Sequence, residues 1–419
     1  MRRSKLHTEL VAGRPVTGLF APSGADFATP GILSWTEEQG AELQLVDLSD
    51  PWPSDFGDSF TVHGKPHTGD EVTLLRARVQ SKTAFERTTH ITSGILALGD
   101  HSDVEERWPI ANYSPASLHE WIPDTGLSIE HNSDDNSRLV VAWNAPEQRD
   151  VTLSGATISL SPGADWAWSY SPGWSIETSM KFTVRSATAL TIEEYWAEYG
   201  NALLCFAVFA ADHPDDMAWE SFYNPESKRQ IVVLRSNRKP AQREWRPVPG
   251  RYLFQAEDLP DISDALKKWL TVWRKTVPSL GLLCDTIQQD TTYSVPRFLT
   301  LYTAAEGYWK NTKTGKANWS PQALARRAAV LPELTGATKR SLALIGASRD
   351  YHAHLAVGRA FSPQEIVDET FESTRRLQAL LQACLLREIG LDTAEIERLF
   401  QQHYASWPVP SEPADLLDI

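Results

Sequence analysis

Along the first 186 residues, short runs of alternating apolar and polar positions are separated by clusters of Ser, Asp, Asn, Pro and Gly. That period of two predicts strands at Gly31–Trp35, Ala41–Leu45, Phe60–His63, Glu71–Val79, Ile91–Leu98, Leu139–Trp143, Val151–Leu153, Ala156–Leu160, Trp166–Tyr170 and Met180–Val184. Thr191 followed three residues later by Glu194 forms a capping box, which opens a helix to about Ala211. Strands at Gln230–Leu234 and Tyr252–Gln255 follow. After Pro260 the period becomes helical. Ser320-Pro321 and Ser362-Pro363-Gln364-Glu365 are helix starts, Gly390 is a stop, and Asp392 with Glu395 caps the next helix. Phe298–Trp309 and Thr338 to about Gly358 complete a bundle of five or six helices with short connections. The expected architecture is α+β with more than one domain. A β-rich, sandwich-like or barrel-like domain occupies residues 1–257, an all-α bundle residues 258–407, and a flexible tail residues 408–419.

Composition adds little to this picture. Hydrophobic residues make up 42% and charged ones 22%, which suits a folded chain. Core packing accounts for most of the 16 tryptophans, with a ligand platform as the alternative for some. Cys205, Cys284 and Cys384 are widely spaced, with no CxxC or Cys/His cluster, so neither a disulfide framework nor a structural zinc site is expected. The start has basic residues but no apolar run behind them, and the longest apolar stretch, Ala202–Ala211, is too short to span a bilayer. The reading is a cytoplasmic protein with no membrane partner.

Charge distribution matters more than its sum. The net charge is −14, yet residues 258–419 hold 18 Lys/Arg against 19 Asp/Glu, so the acidity belongs to the first part. Within residues 297–359, ten Lys/Arg face three Asp/Glu, a local surplus of seven positive charges. Such a surface suits a phosphodiester, although a solvated helix face gives the same count.

The basic stretch surrounds Arg349-Asp350-Tyr351-His352-Ala353-His354, an R-x4-H pattern. The pattern also occurs at Arg2–His7 and Arg398–His403, so spacing alone does not single out a site. On a helix, Asp350 and His354 share a face, and Asp350 is expected to accept a hydrogen bond from His354 and fix its tautomer. Arg349 is turned about 140° from His354 on an ideal helix. The two converge on one phosphate only if the helix starts or bends near Gly346, or if the site combines two chains.

This segment resembles the motif of HEPN-domain ribonucleases, with Glu306 in an apolar surround on an earlier helix and a capped amphipathic helix after the motif. The β-rich half joined to such a bundle is similar to ApeA-like proteins, implicated in bacterial defence against phage. The resemblance implies an endoribonuclease without metal or other cofactor, working as a homodimer or higher even oligomer with a composite cleft. It implies His354 as general base or acid on the ribose 2′-hydroxyl or leaving oxygen, Arg349 on the scissile phosphate, and Asp350 orienting His354. RNA, including transfer RNA, is the implied partner, with a phage-derived activator sensed by the first domain.

Blander readings stand beside these. Arg349 and His354 fit a structural ion pair involving Asp350. His352 is a secondary candidate that touches RNA or only lies on a helix face. Glu306 is expected in a buried helix–helix hydrogen bond. Lys339, Arg340 and Arg359 bind the RNA backbone or are ordinary solvated charges. The rival function is a non-catalytic ligand-binding protein whose bundle only dimerises.

Overall fold

The computed structural model describes residues 4–25, 28–46, 52, 58–83, 88–122, 126–131, 139–169, 173–236, 252–289, 294–312, 318–330, 332–356 and 360–403. The tail expected at residues 408–419 lies outside these. Helix α1 (Lys5–Val11), capped by the Ser4 hydroxyl, leads into β1 (Val16–Pro22), β2 (Thr29–Thr36), β3 (Gly40–Val46), β4 (Phe60–Pro66), β5 (Glu71–Thr83) and β6 (Thr88–Ser93). These six strands pair antiparallel in the cycle β1-β2-β3-β6-β5-β4, so the sheet closes as a barrel. Alternation supplies its interior: Leu33 and Trp35 from β2, and Ala41, Leu43 and Leu45 from β3, are buried with Leu6 and Leu10 of α1.

One strand joins the barrel to the rest of the sheet. Residues 71–75 of β5 pair with β7 (Ile95–Gly99), whereas residues 78–83 pair with β6. At the changeover Arg76 adopts φ 51°, and the inward positions shift from Val72 and Leu74 to Ala77 and Val79. This irregularity, like a bulge, moves the strand's inward side by one residue and bends it away from the open sheet. The expected single strand Ile91–Leu98 is accordingly two, broken at Gly94, because β6 turns its other edge to β3 and β7 turns its to β15.

Beyond the junction come β8 (Trp108–Pro115), a short helix α2 (Leu118–Trp121), β9 (Leu127–His131), β10 (Leu139–Trp143), β11 (Arg149–Leu153), β12 (Ala156–Ser169) and β13 (Gly173–Leu190). After a helical segment come β14 (Met217–Asn224) and β15 (Arg229–Arg235). The open arm runs β7-β15-β14-β8-β13-β12-β11, while β9 and β10 form a separate hairpin. Strands β1, β8, β9 and β14 have no counterpart among the sequence-based expectations, and Ala156–Leu160 and Trp166–Tyr170 belong to a single strand, β12, up to Ser169.

The segment after β13 is helical as expected: α3 (Ile192–Tyr195), opened by the Thr191 capping box, passes through a π-turn (Trp196–Gly200) into α4 (Asn201–Ala211). Every residue of α4 after Asn201 is buried. A helix apolar all round needs cover on all sides. One side meets β8 and α2, and another meets α5 (Ile262–Gln288), where Trp269 stacks on Phe209 at 5.4 Å and its indole N–H donates to the Ala202 carbonyl at 2.8 Å. The expected strand Tyr252–Gln255 is irregular instead. Leu253 donates its backbone N–H to Ala210, and the Phe254 ring packs on Phe206 and Phe209, so the segment closes over α4 rather than joining the sheet.

The helical half continues with α6 (Val295–Thr312), α7 (Pro321–Ala328), α8 (Pro332–Thr335), α9 (Lys339–His354), α10 (Pro363–Asp368), α11 (Thr370–Glu388) and α12 (Thr393–His403). The β-rich half followed by an all-α bundle thus stands as expected. Pro278 lies inside α5, where Thr276 departs from helical angles and kinks the helix. The three cysteines are free and buried. No helix among the described residues is long and apolar enough to cross a membrane.

Gly40 faces the Ser93–Gly94 break with φ +82°, and an added Cβ would lie 2.4 Å from the Ser93 carbonyl oxygen. Gly24 has nearly the same angle, φ +79°, with open space around it. Gly24→Ala should therefore cost about 1 kcal/mol from backbone strain alone. Gly40→Ala should cost roughly 1–3 kcal/mol more, because backbone must also move. Denaturant titrations followed by circular dichroism of both variants check the difference.

Candidate functional site

Helix α9 starts from the Thr338 cap, where the Thr338 and Ser341 side chains satisfy each other's backbone N–H. It buries Leu342, Leu344, Ile345 and Ser348 and runs unbroken through Gly346. The bend that would let Arg349 meet His354 within one chain is absent from this stretch. Leu355 terminates the helix in the left-handed region, φ 54°, with 79% of its surface exposed.

Arg349 is half-buried and lies over α6, its guanidinium carbon 5.9 Å from the Tyr302 ring centre. Its Nη1 donates to Asp350 at 2.8 Å, and this bond, first among the causes, raises the guanidinium's pKa. The exposed Asp350 carboxylate is therefore engaged by its own neighbour. It makes no hydrogen bond to His354, contrary to the expected tautomer-fixing contact: a charged guanidinium is the stronger partner for a carboxylate. His354 is the last helical residue, exposed, with no ion pair or hydrogen bond among the described residues.

Tyr302 was not foreseen as part of this site. Its hydroxyl accepts the Trp319 indole N–H at 2.9 Å, the two rings meet edge to face, and burial raises the phenol's pKa. Phe298, Tyr302 and Glu306 recur every fourth position on α6, a spacing that places them on one stripe facing α9. Glu306 is half-buried and pairs with Lys310 on its own helix at 2.8 Å, and the expected buried helix–helix hydrogen bond is not found among the described residues. An i,i+4 partner was available at lower cost than a desolvated one.

His352 faces the bundle. Its ring meets Phe298 edge on, and Nε2 lies 2.9 Å from the Thr370 hydroxyl. That hydroxyl donates to the Ile366 carbonyl, so His352 is the donor and Nε2 carries the proton. The contact ties α9 to the start of α11. Of the other candidates, Lys339 is exposed, Arg340 pairs with Glu365 and lies over Phe361, and Arg359 is outside the described residues. Among the described residues, no three His, Cys, Asp or Glu side chains cluster so as to hold a metal ion.

The other two R-x4-H patterns differ in their surroundings. Arg398 pairs with Asp258 at 2.6 Å and His403 with the largely buried Asp212 at 2.9 Å, pinning α12 against the rest of the chain. His7 is buried in α1 beside Trp219, and Arg2 lies outside the described residues.

Burial holds the His352 pKa below its usual 6.5, favouring the neutral ring in the fold. The stabilisation this gives is complete above the unfolded value and lost as pH falls through the lower folded value. Melting temperature should therefore drop on acidification below about pH 6.5. His352→Gln, which keeps an N–H donor but does not titrate, should narrow that drop when melts at neutral and mildly acidic pH are compared.

A search of curated proteins finds no match, and none is found among solved structures. The family model for ApeA N-terminal domain 1 matches residues 15–269, well over half of the 419. The match runs from the barrel through the open sheet and α4 into the first turns of α5, and stops before the Arg349–His354 segment. This chain belongs to the ApeA family.

Proposed function

We propose that this ApeA-family chain acts in anti-phage defence as an endoribonuclease, with α9 carrying the chemistry and the β-rich half, residues 1–257, sensing infection. The observation that carries the reading is the exposure of His354 at the end of α9, one and a half turns from an accessible, firmly cationic Arg349. Nothing else in the described chain uses up that imidazole, whereas the histidines of the other two patterns are buried or paired.

RNA chemistry fits these groups. An imidazole takes the 2′-hydroxyl proton, the 2′-oxygen attacks phosphorus, and the bond to the 5′-oxygen breaks as that oxygen receives a proton. The products carry a cyclic phosphate and a 5′-hydroxyl. Arg349, planar and always charged, neutralises the phosphate as negative charge accumulates. Asp350 acts on Arg349 rather than on His354: it holds the guanidinium above Tyr302. This reading uses no metal ion.

Because α9 is straight through Gly346, the guanidinium and imidazole of one chain point in different directions. A two-fold pair of chains resolves this, with the His354 of one copy beside the Arg349 of the other. Leu355, Val367 and Phe371, exposed apolar residues that flank the α9–α11 contact in sequence, supply a surface for such pairing. The bundle over residues 258–407 is then a nuclease unit of HEPN type that works as an even oligomer inside the cell.

Purified protein incubated with total RNA, with transfer RNA as one substrate, should cleave it with or without EDTA. Arg349→Ala and His354→Ala should each slow cleavage by roughly 10²–10⁴-fold. Asp350→Asn, which only loosens the arginine, should cost less. Full activity in the double variant Arg349→Ala/His354→Ala removes the site. No cleavage by the unaltered protein, even with extract of infected cells added, favours a bundle that only dimerises.

A further inference from the structure

Where β14 begins and β15 ends, the sheet leaves a cavity of about 640 Å³, reaching from the barrel and α1 to the π-turn before α4. Ligand sites of small molecules commonly have this volume. Nothing in the proposed RNA chemistry uses it.

Three indoles line it: Trp35 at the end of β2, Trp219 on β14 and Trp196 in the π-turn. A π-turn interrupts regular helix hydrogen bonding and is frequent at functional sites. Here it sets the Trp196 ring 4.6 Å from the Arg235 guanidinium carbon. Arg235 is itself spent. Its Nε and Nη2 donate to the two oxygens of Glu220, at 2.7 and 2.9 Å, and the Glu220 side chain is only 2% exposed. The pair is neutral as a unit and forms a fixed polar floor.

That arrangement selects the ligand by exclusion. An anion finds no unspent Arg or Lys among the lining residues, because Arg235 already holds a carboxylate. Glu37, in the turn after β2, adds a carboxylate that makes no ion pair among the described residues. A group carrying positive charge gains from Glu37 and from the Trp35 and Trp219 rings, the latter shared with His7 of α1 at 5.4 Å, since an indole attracts cations through its quadrupole.

We infer that this cavity binds an organic cation, an ammonium or guanidinium group on a short apolar body, and that it is a ligand site of the β-rich half. The contacts also connect it to the rest of the chain. Trp196 and Leu204, both lining residues, sit on the helical segment that ends at Asp212, whose carboxylate accepts from Gln378 and Gln382 of α11 and pairs with His403 of α12.

Isothermal titration of the full chain tests the inference with two pairs of charged and neutral analogues, the first of them isosteric. Nα-acetylarginine amide is compared with Nα-acetylcitrulline amide, and Nα-acetyllysine amide, its side-chain ammonium free, with Nα-acetylnorleucine amide. At least one cationic member should bind, and its neutral counterpart should bind about tenfold or more weakly. Glu37→Gln, in an exposed turn, and Trp219→Leu should each weaken the cation by about 5–30-fold while circular dichroism shows an unchanged fold. Absence of binding by both cations up to about 10 mM overturns the inference. Equal binding of charged and neutral members does so too, as does cation binding that both variants leave unchanged. These measurements do not involve RNA cleavage, so they stand or fall apart from it.

Discussion

Burial of α4 is the constraint on which the arrangement of the two halves depends. Ten consecutive buried residues, Ala202 to Ala211, leave that helix no solvent face. It therefore needs the β8 side of the sheet on one flank and α5 on the other, with Trp121, Phe254 and Trp269 filling the gaps around Phe206 and Phe209. The β-rich half and the bundle accordingly share one continuous core rather than meeting across a polar seam. That the family match extends past the last strand into α5 has a physical basis here, because the open sheet without α5 would leave α4 uncovered.

From this shared core the candidate site is positioned in steps. Helix α5 packs on α6, α6 presents Phe298 and Tyr302, and α9 lies against them with Arg349 over one ring and His352 against the other. Thr370 then fixes α9 to α11. The site residues differ in what holds them. Arg349 and His352 are fixed by aromatic and hydrogen-bonding neighbours, whereas the His354 side chain at the last turn is uncommitted among the described residues.

What could be read from the sequence was what local physics decides. The caps at Thr191, Ser320, Ser362 and Asp392 all form, because each needs only a hydroxyl or carboxylate three residues from an N–H. Strands with a solvated face, such as β2 and β3, announced themselves by alternation. Strands β8 and β14 did not: in Trp108–Pro115 prolines interrupt the run, and Met217–Asn224 shows no clean period of two. The switch of partners along β5 depends on edges far apart in the chain, and Arg76 carries no sign of it. At the site, Arg349 and His354 were legible as a pattern, and the 140° between them followed from helix geometry. Asp350's choice of its neighbour over His354, and the Tyr302 shelf, required knowing which helix packs behind α9.

Asp212 carries one more consequence. It ends α4 in the left-handed region, φ 49°, inside the family-matched segment, and its carboxylate is met by donors from α11 and α12, which lie outside that segment. A carboxylate so enclosed is tolerable only with those donors in place. Recombination that exchanged the first half of this chain for that of a relative would have to bring matching donors in the last two helices. The two halves are therefore poor candidates for independent shuffling, and change in the first half is better accommodated by substitution within an intact chain.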